Sequence, residues 1–361
     1  MPSQLLHVLF GEDVFARIGR RLESRFGTAA GGMVTAWGKI AAVQRKAFVL
    51  GCQGPDIFYH SQGRRPVGLE YGTLLHRRGA GTFTAELLGS CFSPPGADTR
   101  TRRPENEINA LGAYSLGFMT HAILDRLAHP YIVYKSDSSC SAARFPGIPR
   151  FEGSHAFFER IIDVMMFKLL RGKEIASWDQ GILAESCESP PPGLKELLAG
   201  ALIAAFPGRA GKDEKLKSRV ENTFLDSAGF YRLTAPACPR DDQFPPQKRH
   251  LVYLYPEELP GGIDFLNLEK QPWYYPAGEK KEDRRSFPEI YGGAVAAAAD
   301  SFTGIISRYL EEGSFPAETA AVIGDGGLNI VDENGKPCAP SRTDPLPLED
   351  VLEQQAVLHK L

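Results

Sequence analysis

Residues 117–131 read GFMTHAILDRLAHPY and residues 153–160 read GSHAFFER, and these two windows decide the expected architecture. They hold three of the chain's eight histidines, His121, His129 and His155, each four residues from Asp125 or Glu159. On a helix a four-residue step leaves side chains on one face, one turn apart. Imidazole with carboxylate is the donor set of zinc and similar divalent ions. A single such pair serves equally well as a surface ion pair or a satisfied core histidine. Here the pairs are flanked by Ile123, Leu124, Leu127, Phe157, Phe158 and Ile161. Burying several ionisable groups among such residues is costly unless they are paired or hold a metal. The pattern predicts a helical, metal-binding enzyme.

His121 and Asp125 lie about 6 Å apart along a helix axis, near enough to share one ion, whereas His129 lies about 12 Å from His121. One helix therefore carries donors for two neighbouring ions, with Asp125 between them and able to bridge. The second window completes one group as His129, His155 and Glu159. Three protein donors with an open position is the pattern of catalytic zinc, whereas structural sites are closed. The other ion still lacks a donor. His7 on an apolar first helix, Asp56 after the Gly-Pro turn of GCQGPD and His76 in YGTLLHRR are the remaining candidates.

The chain has 361 residues, enough for one large or two ordinary domains, and a net charge of −3. Its short basic clusters, at Arg64-Arg65, Arg77-Arg78, Arg100 to Arg103 and Arg284-Arg285, read as solvated loops. No basic stripe of the kind that binds duplex nucleic acid is present. The first residues lack the pattern of a signal peptide, and no apolar run approaches the ~20 residues of a membrane span. The six cysteines form no CxxC pair and read as reduced, buried thiols. The expected location is the cytoplasm.

Amphipathic patterns predict helices over Leu5–Phe26, Thr35–Leu50, Tyr71–Leu88, Asn106–Ala128, Gly153–Leu170, Leu194–Phe206 and Asp213–Ser227. Gly79 and Gly81 weaken the third, and Pro130 is expected to stop the fourth. Residues 229–288, rich in proline and aromatics, read as an ordered wrapping segment, and Glu289–Leu310 as an alanine-rich closing helix. No strand pattern is strong enough to build a sheet. The expectation is an all-α helical domain over 1–312, with its metal core in 1–170. A C-terminal extension, 313–361, is read as a hairpin or loose tail with a short last helix.

The order of these residues is His7, GxxxPD with Asp56, a helical His76, HxxxDxxxH, then HxxxE. It resembles the zinc-dependent phospholipase C family, closely over residues 1 to 170 and more loosely over DFLNLEKQPWYYP and the helix after it. The resemblance implies a helical fold with up to three zinc ions in a cleft. One ion would take His76, His121 and Asp125, and a second His129, His155 and Glu159. A third would use His7 and share Asp125, while Asp56, outside these sets, would act on the nucleophilic water. Secreted members begin, after processing, at a tryptophan whose amine and carbonyl bind the third ion. This chain begins at Met1, which leaves the third ion open.

The activity so implied is hydrolysis of a phosphodiester, with a phospholipid as substrate, by a zinc-activated water. Alanine at Asp56 is then expected to abolish turnover and leave most of the metal bound. Two alternatives stand beside it. Single-strand zinc nucleases share a related site, and Trp273-Tyr274-Tyr275 would offer stacking faces for bases, although core packing is the commoner use of such a run. A metal-binding domain kept for structure or partner contact is the other. His60, four residues after Asp56, would either substitute at the third ion or cap the local turn, the turn being the favoured reading, and His250 and His359 are read as bystanders. Oligomeric state has no signature in the sequence.

Overall fold

The computed structural model describes residues 4–27, 39–92, 109–137, 153–235, 248–278 and 281–358. Over these residues the chain is mostly helical, as the periodicity predicts. The N-terminal part comprises α1 (Gln4–Phe26), α2 (Ile40–Val43), α3 (Arg45–Cys52), α4 (Leu69–Arg77), α5 (Ala80–Phe92) and α6 (Ala110–Ser136). It continues with α7 (Ser154–Arg171), α8 (Gly181–Glu188), α9 (Leu194–Ala205) and α10 (Leu216–Leu233). The C-terminal part has α11 (Phe287–Glu312), α12 (Thr319–Ile323) and α13 (Leu348–Leu358). A 3-10 turn over Gly54–His60 follows α3. Strand among the described residues amounts to Trp273–Tyr274 paired antiparallel with Glu282–Asp283, and an isolated bridge at Val331 and Pro337.

Helix α6 is the centre of the fold. It is buried along nearly its whole length, including Leu116, Phe118, Met119 and Tyr131, as a helix apolar on all sides requires. Its start is set by Asn109, whose side chain accepts from Gly112 N at 2.8 Å. Helices α1, α3, α5, α7 and α11 pack around it. The closest approach is by α3: a Cβ on Gly51 would stand 2.1 Å from Tyr114 O, and one on Gly117 2.4 Å from Phe48 O. Larger residues there would force the two helices apart.

Pro130 does not stop α6, which runs on to Ser136. An internal proline costs roughly 3 kcal/mol by deleting one bond to residue i−4. Tyr131, Ile132, Val133 and Tyr134 beyond it are all buried. Each large apolar side chain so buried stabilises by roughly 1.5–3 kcal/mol, so burial outweighs the break.

The opposite correction applies to Tyr71–Leu88, which forms two helices, α4 and α5. Gly79 between them takes φ +80°, a left-handed conformation that interrupts a helix. The first turn of α5 is instead met from a distant segment. Asp325 accepts from Thr82 N at 2.7 Å and from Thr82 Oγ1 at 2.6 Å. Helix α8 was not anticipated. Of the expected Thr35–Leu50 helix, residues 35–38 lie outside the described residues, as do Arg100 to Arg103 and His359; the rest is split at Gln44 into α2 and α3.

In the wrapping segment, the first residues prolong α10 and the rest of its described residues are largely irregular up to α11. Trp273 is buried at the edge of Tyr131, with ring centroids 5.4 Å apart, and its Nε1 donates to Arg285 O at 3.1 Å. Helix α11 starts at a capping box of Ser286 and Glu289 and buries Ala294, Ala298 and Ala299 against the core. Beyond Gly313 the chain packs back onto the helices, burying Ile323 and Leu328. No described helix is long and apolar enough to cross a membrane.

Candidate metal centre

The site forms where α1, the Gly54–His60 turn, α4, α6 and α7 meet. Helix α1 is held at its first turn by a carboxylate on α7. Asp163 accepts from Leu5 N at 3.2 Å and Leu6 N at 2.7 Å. Such a carboxylate satisfies unpaired N–H groups and suits the helix dipole. The Tyr255 hydroxyl donates to Asp163 at 3.1 Å, and Arg160 Nη1 donates to the same hydroxyl at 2.9 Å. This clamp seats His7 against α6. Asp163 escaped notice in the sequence, although it extends the four-residue period His155, Glu159, Asp163.

Asp56 arrives through a turn that only glycine permits. Gly54 has φ +56°, and a Cβ on it would lie 2.3 Å from Cγ of His121. The missing side chain supplies both the backbone conformation and the clearance for the imidazole.

Asp125 lies at the middle. Its Oδ1 is 3.2 Å from His7 Nε2, and its Oδ2 is 3.1 Å from His121 Nε2 and 3.7 Å from His76 Nε2. Asp56 Oδ1 is 2.9 Å from His76 Nε2, and Oδ2 is 3.6 Å from His121 Nε2. On the other side of Asp125, Glu159 Oε1 is 3.1 Å from His155 Nε2 and 3.5 Å from His129 Nε2. The donor atoms of His7, His121 and Asp125 all lie within 4.8 Å of one another, as do those of Asp56, His76 and His121 and those of His129, His155 and Glu159. Every donor expected from the sequence is thus brought to one place. Asp56 stands among the donors, on the same imidazoles as Asp125, rather than outside them.

Backbone carbonyls orient three of the rings. Nδ1 of His76 faces Gly72 O at 2.8 Å, that of His121 faces Cys52 O at 3.2 Å, and that of His129 faces Leu328 O at 2.8 Å. A carbonyl only accepts, so each of these Nδ1 atoms donates to it, and it is the Nε2 of each ring that is turned toward the carboxylates. Leu328, in the segment after Gly313, had no signal in the sequence because its contribution is a backbone oxygen.

Both Asp56 carboxylate oxygens, Asp125 Oδ2, Glu159 Oε2 and His121 Nε2 are buried with no hydrogen-bond partner. Buried polar groups are rarely left so, and these face one another across donor-to-donor distances that suit a shared cation. The residues present therefore fit divalent metal. His155 is the most exposed of the donors, its side chain 28% exposed whereas those of His121 and Glu159 are 0% and 2% exposed.

Charge pairing dominates the electrostatics. Burial opposes a charge on His121 and on His129, but Asp125 together with Asp56 for the first and Glu159 for the second outweighs it, and both imidazoles are pushed up to about 9. Burial likewise works against charge on Asp125 and Glu159. The imidazoles His121 and His129 beside the first, and His155 beside the second, nevertheless hold both carboxyls below their ordinary range. His60 is a different case. It stacks on Phe230 at 3.9 Å, and burial lowers it to about 3, so it is a neutral core ring outside the three groups. His250 lies in the short turn Lys248–Tyr253 and belongs to none of the three groups.

These shifts predict an acid-favoured stability for protein stripped of metal. With His121 raised from 6.5 to about 9, its contribution is complete below pH 6.5 and disappears as pH rises through about 9. The depressed carboxyls act oppositely, stabilising above their ordinary range and failing as pH falls. Thermal unfolding of chelator-treated protein should therefore drop by several degrees between pH 6.5 and 9. Zinc should cancel that loss, because ligand imidazoles must be neutral. A melting temperature that stays level over this range without metal would contradict the pairing.

No family model, curated protein or solved structure matches the chain.

Proposed function

We propose that the chain is a zinc-dependent phosphodiesterase of the phospholipase C kind. The observation that carries this reading is the set of buried carboxylate oxygens that make no hydrogen bond and face imidazole nitrogens around Asp125. His129, His155 and Glu159 would hold one ion, and Asp56, His76, His121 and Asp125 another, with His7 and Asp125 available to a third. Such ions supply Lewis acidity toward a phosphoryl oxygen and an acidified water.

The chain's own residues do the rest. Gly72, Cys52 and Leu328 keep the imidazoles in one tautomer and orientation through their carbonyls. Asp125 fixes the spacing between the two donor groups from a single rigid helix, so no side chain has to reorganise as charge builds on the phosphoryl oxygens. Asp56, with oxygens beside His76 and His121, is positioned to orient water and take its proton as the ester P–O bond breaks. The partly exposed His155 marks the side from which a phosphodiester enters. The burial of Trp273 removes the strongest stacking candidate for bases, which favours a lipid or small phosphodiester over a nucleic acid.

Metal analysis with a substrate panel tests this. Purified chain should carry at least two zinc ions and hydrolyse phosphatidylcholine micelles or a chromogenic phosphodiester. Chelation should remove the activity and zinc restore it. Zinc-loaded protein inactive toward lipid, chromogenic and oligonucleotide diesters would sink the reading, and cleavage of the oligonucleotide alone would move it to a nuclease.

A further inference from the structure

Arg126 follows the bridging Asp125 in sequence and turns away from the donors. Its guanidinium is committed to one short stretch of backbone: Nη1 donates to Ile323 O, Nη2 to Gly324 O at 2.8 Å and Gly326 O at 3.1 Å, and Nε to Gly327 O at 3.3 Å. Guanidinium is suited to this, since its planar fork presents five donors at fixed angles. The residue that emerges from this grip is Leu328. It is fully buried, its N–H donates to His76 O at 2.9 Å, and its carbonyl accepts from Nδ1 of His129 at 2.8 Å. The same stretch is pinned to the start of α5 by Gly79 N donating to Asp325 O at 3.0 Å and by the Asp325 side chain at Thr82.

We propose that Arg126 and the 323–328 segment form a latch that positions His129 for metal, so that affinity at the His129, His155 and Glu159 group is set from the C-terminal part of the chain. The inference rests on the metal reading of the site. Arg126 is a positioning residue: it meets no donor, and acts through the Leu328 carbonyl that fixes the His129 ring. The effect is selective for one group. Nδ1 of His76 is held by Gly72 O within its own helix, and that of His121 by Cys52 O; neither ring depends on the latch. The segment's hydrogen bond to His76 is to its backbone oxygen.

Zinc competition titration of the full chain against a chromophoric chelator decides the matter, with Glu159→Gln identifying which bound zinc belongs to this group. Arg126→Ala is expected to weaken that zinc about 10- to 100-fold, the usual cost of losing an outer-shell partner of a ligand histidine. The zinc retained in Glu159→Gln should keep its wild-type affinity. Arg126→Lys keeps the charge but cannot span four carbonyls, and should resemble alanine; a purely electrostatic role would be rescued by it. Nitrogen-15 NMR of the zinc-loaded protein should show the Nδ1 proton of His129 protected in wild type and exchanging in Arg126→Ala.

If Arg126→Ala fails to fold, Gly324→Ala takes its place. Gly324 has φ +84° and its Cβ would lie 3.3 Å from Arg126 Nη1, so the grip must shift, with a smaller loss in the same zinc. Unchanged affinity in a folded variant, or equal weakening of every zinc, overturns the latch alone. Wild-type chain that takes up no zinc overturns the metal reading and the latch with it.

Discussion

Asp125→Ala is expected to strip metal from the His7, His76 and His121 side of the centre and to destabilise the metal-free fold at once. One carboxylate here lies within 3.8 Å of nitrogens on four histidines, His7, His76, His121 and His129, drawn from α1, α4 and α6. It is also the main reason that His121 and His129 hold protons up to about 9. Without it, His7 and His121, stacked at 4.0 Å between ring centroids, face each other with no carboxylate between them. Breaking a buried charge pair in this way costs about 3–5 kcal/mol, so melting of the chelated protein should fall by 10 °C or so. Bound zinc should drop to the single ion of the His129 group, and phosphodiesterase activity by about a thousandfold or more. Melting, zinc analysis and turnover on one preparation check all three. A variant with normal zinc content would remove Asp125 from the centre.

Asp56→Asn carries the second large effect, and it separates two roles for one residue. The resemblance assigns Asp56 to the nucleophilic water, with most of the metal expected to stay bound on its loss. The geometry puts its Oδ1 2.9 Å from His76 Nε2, among the donors. Asparagine keeps the shape and loses the charge, so the fold should persist. The expected result is loss of one zinc together with a fall in turnover of about 10²–10⁴-fold. Zinc content is the decisive measurement. Full metal occupancy with the same fall in rate would return Asp56 to the role of base alone.

The reach of the sequence can be argued from these residues. HxxxDxxxH and HxxxE were legible because a four-residue period is a local property of a helix, readable without knowing what packs on it. Gly54 before Asp56 was legible as a turn, though not as clearance for the His121 ring. Pro130 misled for a physical reason. Local propensity ends a helix there, and the burial of Tyr131 to Tyr134, which depends on distant partners, carries it through. Gly79 erred the other way, since a single left-handed residue cut what periodicity joined.

The donor types, their spacing along α6 and α7, and the mainly helical character were determined by the sequence itself, through intervals of three to four residues. Tertiary structure alone decided that Asp56 shares the imidazoles of Asp125, that Asp163 on α7 caps α1 to seat His7, and that Leu328 orients His129 from almost two hundred residues away (199 in sequence). Those three contacts join backbone or carboxylate oxygens to distant partners. Their formation depends on the path of the whole chain, which no local pattern encodes.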